Sequence, residues 1–131
     1  MLTDTQSLLL AVVVGPADER DVDGGWAVLD AADEAGLLER AGRLWVDGAY
    51  RGTFEADVAT EFGIAVEVTT RSADQRGFAV QAKRWAVERA FGWLNRCRRL
   101  AKDYEEVVGS SVTWIYLAFC RLLLHRLASP Q

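Results

Sequence analysis

At 131 residues, 50% of them hydrophobic and 26% charged, the chain has the composition of one ordinary globular domain, which excludes disordered, collagen-like and disulfide-scaffold proteins. Met1 to Ser7 has neither a basic region nor a cleavage site, so a secretory signal is not expected there and a cytoplasmic address is. The net charge of -4 conceals a division, because residues 1–82 hold 15 acidic and 6 basic side chains while residues 83–131 hold 4 and 9.

Leu8 to Val14 is an unbroken apolar run ended by Gly15-Pro16, the pattern of a strand buried on both faces. An acidic loop, Asp18 to Asp23, leads into a helix from Trp26 to Ala35 with Trp26, Leu29 and Ala32 on its apolar stripe and Gly36 as its cap. Leu44 to Val46 reads as a short second strand that Asp47-Gly48 stops, and Thr53 can N-cap a helix carrying Phe54, Val58 and Phe62, closed by Gly63. Ile64 to Thr69 alternates apolar and polar residues as a third strand, followed by a polar loop from Arg71 to Gly77. Strand, helix, strand, helix, strand predicts an α/β sheet with right-handed crossovers.

From Ala82 to Glu106 the pattern predicts one long helix with Val87, Ala90, Leu94 and Ala101 on its buried stripe, and a second helix follows from Ser111, as N-cap, to Leu127. The apolar stretch Val112 to Leu124 is shorter than the roughly 20 residues of a membrane span and Arg121 interrupts it, so a core-covering helix is expected. Cys97 and Cys120 sit in apolar helical patterns and read as buried free thiols. His125, the only histidine, reads as a surface or cap residue.

Seven of the 15 basic residues lie between Lys83 and Lys102, which makes that segment either a docking place for a polyanion or a solvated helix face. At about 100° per residue, Arg84, Glu88, Asn95, Arg99 and Lys102 fall on one polar stripe, with Glu88 among cations that keep it ionised, as a metal ligand must be. Spacing alone favours a plain i,i+4 pair of Arg84 with Glu88. Asp47 ends an apolar strand, at the edge where α/β sheets bind ligands, although Asp-Gly is also a common turn dipeptide. Together Asp47 and Glu88 suit a site in which Mg²⁺ ions are shared by carboxylates and phosphate oxygens, the chemistry of phosphodiester hydrolysis and strand transfer.

The segments Leu44-Trp45-Val46-Asp47-Gly48-Ala49-Tyr50-Arg51-Gly52 and Arg84-Trp85-Ala86-Val87-Glu88-Arg89-Ala90-Phe91-Gly92-Trp93-Leu94, continuing through Arg96 to Glu105, resemble the insertion-sequence DDE transposases. The resemblance implies a partial RNase H-like fold, with Asp47 and Glu88 as catalytic carboxylates holding Mg²⁺ or Mn²⁺. It implies Arg84, Arg89, Arg96, Arg99 and Lys102 as contacts to double-stranded DNA at transposon terminal repeats, and self-association of the full-length protein. Trp85 is then either a stacking group or core. In the family's Tyr-Arg-Glu-Lys signature, Arg84 and Glu88 fit, while Gln81 stands where Tyr is usual and Asn95 where Lys is usual. The family's first aspartate lies on a strand that precedes the segment resembling Thr3-Asp4-Thr5, and Asp4 matches a non-catalytic position. Residues 1–131 are therefore expected to be the C-terminal part of one catalytic domain, with two sheet strands missing between Leu8–Val14 and Leu44–Val46. The rival reading is a non-catalytic DNA-binding or interaction remnant that keeps the basic segment.

Overall fold

The computed structural model describes residues 1–69, 84–102 and 105–128. In chain order it holds β1 (Leu2–Thr3), β2 (Leu9–Ala11), α1 (Asp21–Glu34), β3 (Arg43–Val46), a 3-10 turn at Gly48–Tyr50, α2 (Phe54–Phe62), β4 (Ala65–Val68), α3 (Arg84–Asn95) and α4 (Val108–Ala128). The loop expected from Arg71 to Gly77, Gln81 and the helix start expected at Ala82 lie outside the described residues.

The class is mixed α/β, but the strands form two separate pairs, not one sheet. β1 and β2 run antiparallel, with Leu2 opposite Ala11 and Thr3 opposite Leu9. Two residues cannot show a periodicity, so β1 has no signature in the sequence. The apolar run Leu8 to Val14 contributes only Leu9–Ala11 to the ladder, and the Leu8 amide at its start is bound by the Asp4 carboxylate at 2.8 Å. β3 and β4 are parallel, in register from Arg43 opposite Ala65 to Val46 opposite Val68, and α2 is their crossover. Leu44, Val46 and Val66 face the core on one side of this pair. On the strand positions between them, Glu67 accepts hydrogen bonds from Arg43 Nη1 at 3.1 Å and Trp45 Nε1 at 3.0 Å.

Helix α1 begins at Asp21, five residues before the expected start, which turns much of the acidic loop into its first turn. Asp21 and Asp23 there complement the positive end of the helix dipole, and Arg20 pairs with both oxygens of Asp23 at 2.8 Å. Gly36 ends α1 as expected: at φ 67° it donates to Asp33 O while Leu37 donates to Ala32 O, the double bond of a Schellman close. Thr53 precedes α2 but its hydroxyl caps nothing, and the acidic first-turn residues Glu55 and Asp57 take that role electrostatically. Gly63 closes α2 at φ 67°.

The first core gathers Ala11, Val28, Leu29, Ala32, Leu38, Phe54, Val58 and Ile64. Leu29, Val58 and Ile64 are no more than 2% exposed, and each contributes about 1.5–3 kcal/mol by burial. A second core is built of Ala90, Leu94 and Phe119, with Met1, Leu9, Trp93, Leu100, Ile115 and Leu122 packed against it. Leu2 and Ala11 belong to the first core, Met1 and Leu9 to the second, so the β1–β2 hairpin joins the two.

The single helix expected from Ala82 to Glu106 stops at Asn95. Arg96, Cys97 and Leu100 donate to the carbonyls of Trp93, Leu94 and Cys97, tighter i to i−3 bonds that turn the chain so that Leu100 folds onto the second core. The buried positions on α3 are Ala86, Ala90 and Leu94, while Ala101, expected on the buried stripe, is exposed and off the helix. Ser111 does not cap α4, which already starts at Val108; its own side chain is buried within the helix. α4 covers core on one face only, through Ile115, Ala118, Phe119 and Leu122. Leu117 (52% exposed), Leu124 (67%) and Leu127 (84%) lie open, and by length and composition alone this helix could cross a bilayer. Cys97 is partly buried, but Cys120 is exposed, because it follows Phe119 around the helix away from the seam.

Candidate functional site

Asp47 directly follows β3, at the carboxyl end of the parallel pair, as the sequence predicts. Its backbone is extended, and Oδ1 accepts from the Ala49 amide at 2.9 Å, capping the 3-10 turn. Turn chemistry and strand-end placement therefore hold at once, since the turn bond occupies one carboxylate oxygen. The next turn residue, Tyr50, packs against Phe54 with ring centroids 5.0 Å apart. It crosses so close to α1 that a Cβ at Gly25 would lie 2.5 Å from Tyr50 Cε1, which explains a glycine in mid-helix. Burial, then the charges of Asp21 and Asp47, push the Tyr50 hydroxyl above the usual phenol range. Asp21 as a neighbour of this corner is invisible in the sequence, because 26 residues and a helix start separate it from Asp47.

Glu88 is exposed on α3. The buried residues Ala86, Ala90 and Leu94 recur every four positions, and at about 100° per residue Glu88 falls on the opposite side of the helix. Asn95 shares that outward side and Arg84 opens it, although the Arg84 side chain lies outside the described residues. Arg99 and Lys102 do not continue the stripe, since both follow the end of α3.

Arg89, Arg96, Arg99 and Lys102 are all exposed. Arg96 and Lys102 are exposed in the segment after α3, with Arg98 beside them. Arg99, exposed as well, is paired within the protein, its Nη1 3.2 Å from Glu105 Oε1 and its guanidinium 5.0 Å from the Trp114 ring. Arg89 donates through Nε to Ser7 Oγ at 3.0 Å and through Nη2 to the Gln6 carbonyl at 2.9 Å. The same guanidinium lies 4.2 Å from the Trp85 ring and 5.2 Å from that of Trp93. Trp85 is not core: it is 40% exposed.

Carboxylates are the oxygen donors that Mg²⁺ and Mn²⁺ prefer, so Asp47 and Glu88 fit such ions in kind. In number they fall short, because among the described residues no group of three or more His, Cys, Asp or Glu side chains is placed to hold a metal ion. A family model described as the transposase DDE domain matches residues 1–123, a span that includes both carboxylates and the whole basic segment. No curated protein and no solved structure matches.

Proposed function

We propose that this chain, which belongs to the transposase DDE domain family, serves DNA transposition by binding double-stranded terminal-repeat DNA through Arg84, Arg96 and Lys102, while Arg89 and Arg99 of the same basic segment are engaged by partners within the protein. Asp47 and Glu88 are the carboxylates we assign to divalent metal, Mg²⁺ or Mn²⁺, within an RNase H-like arrangement in the cytoplasm. Asp47 and Glu88 would hold such ions, which when bound would supply activation of an attacking hydroxyl and stabilisation of the departing oxygen of a phosphodiester. The observation that carries this reading is the matched span, within which an acid ends a parallel strand and another stands on the open side of a helix followed by exposed cations. Full-length self-association belongs to the same reading.

In the test, Mg²⁺ or Mn²⁺ supports nicking of terminal-repeat duplex and Glu88→Ala abolishes nicking while DNA affinity survives. Affinity falls with salt in proportion to the phosphates neutralised. A second reading, a DNA-binding remnant without chemistry, is favoured because among the described residues no three or more His, Cys, Asp or Glu side chains are grouped to hold a metal ion. Salt-dependent DNA binding with no nicking in the unaltered chain would decide for it.

A further inference from the structure

Asp47 follows a strand of the first core, and Glu88 stands on α3, which seats in the second. The β1–β2 hairpin packs on both of these cores. Its turn is held by Asp4, whose Oδ1 accepts from the amides of Gln6 and Leu8 at 2.8 Å each. Within that turn Ser7 takes φ 69°, a conformation few non-glycine residues adopt, and is fully buried. Its hydroxyl is what Arg89 Nε binds, 82 positions along the chain, while the Gln6 carbonyl takes Nη2 of the same side chain.

Along the seam of α3, Leu94 and Trp93 engage Phe119 at the C-terminal end, whereas Ala86 and Ala90 present one methyl group each, so the first part of the helix has little side-chain relief to resist rolling about the axis. The Arg89 guanidinium, bonded at two atoms and flanked by two indole rings, supplies what the alanines lack. On the reading of Glu88 as a metal ligand, we propose that Arg89 is a positioning residue. Anchored on Ser7 and Gln6, it sets the rotation of α3 and hence the direction in which the adjacent Glu88 projects. The strained, buried Ser7 is the acceptor in this anchor, its hydroxyl receiving the arginine.

The test uses the whole chain with Ser7→Ala, Arg89→Gln and the double variant, and Ser7→Gly as a form that suits the positive φ yet lacks the hydroxyl. In urea unfolding, the double variant is expected to be no less stable than the weaker single one; strictly additive losses would overturn the clamp. On terminal-repeat duplex, Arg96→Gln should lower the salt slope of binding by about one, whereas Arg89→Gln should leave it unchanged. A slope lowered equally by Arg89→Gln would make Arg89 a phosphate contact and end the proposal. In a Mn²⁺ titration followed by electron paramagnetic resonance, Glu88→Gln should abolish binding. Ser7→Gly and Arg89→Gln should each weaken it several-fold, and undiminished affinity in both would refute positioning. If the unaltered chain binds no Mn²⁺ through Glu88, the assignment of Glu88 fails and positioning fails with it, while the urea cycle still reports separately on the clamp.

Discussion

Tyr50 reports on the Asp47 corner at the scale of one residue. Its hydroxyl is held above 10.0 first by burial and then by the carboxylates of Asp21 and Asp47, so the folded chain favours the neutral phenol. The stability this contributes is fully present below the unfolded phenol value and is lost as pH rises through the higher folded one. In a chain carrying Tyr104→Phe and Tyr116→Phe, alkaline titration of the phenolate absorbance should place Tyr50 above 10.0. Asp47→Asn should bring that midpoint down without restoring it fully, because burial is the larger cause. A midpoint indifferent to Asp47→Asn would mean that the two groups do not sense each other. Asp47 itself was readable from residues, since an Asp-Gly pair stopping an apolar strand is local information. The bond of Arg89 to Ser7 was not, because that partner lies 82 positions away and has no pattern of its own.

Elements differ in how much of their extent is written locally. α1 and α2 end where Gly36 and Gly63 permit a left-handed backbone, a requirement visible in one residue type. The end of α3 is set by tertiary pull instead: nothing between Asn95 and Lys102 breaks a helix, yet the chain turns so that Leu100 reaches the core shared with Phe119. The exposed cations Arg96 and Lys102 are consequently carried by the segment after α3 and not by the helix that bears Glu88. β1 is the element most dependent on one side chain, because both amides held by Asp4 close the hairpin. Asp4→Ala should cost about 1–3 kcal/mol, the range for a lost hydrogen-bonding partner of charged type. Urea unfolding checks this, and a change within error would show that the β1–β2 ladder closes the turn unaided. The same substitution should loosen Arg89, since Ser7 would no longer be held at its left-handed angle.

Across the whole molecule, two small cores meet at a two-residue strand and its partner, with charge divided between them. The acidic first part carries the strand-end carboxylate, and the basic second part carries the helix carboxylate and the exposed cations. This division leaves the net positive charge on the part of the chain that follows residue 82. The same part carries α4, whose Leu117, Leu124 and Leu127 stand more than half exposed beside Cys120. Apolar side chains gathered on one helix face promote association. Replacing Leu124 and Leu127 by lysine removes apolar surface and adds charge without touching Phe119, Ile115 or Leu122, which hold α4 to α3. Light scattering over a range of concentrations should therefore show less association in the double variant, with the thermal midpoint unchanged. Equal association in both proteins would shift attention to the open edges of the two strand pairs, where unpaired backbone groups invite the same outcome by hydrogen bonding. A lowered midpoint would instead mean that Leu124 or Leu127 contributes to the second core, and that the open face of α4 is smaller than its exposed side chains imply.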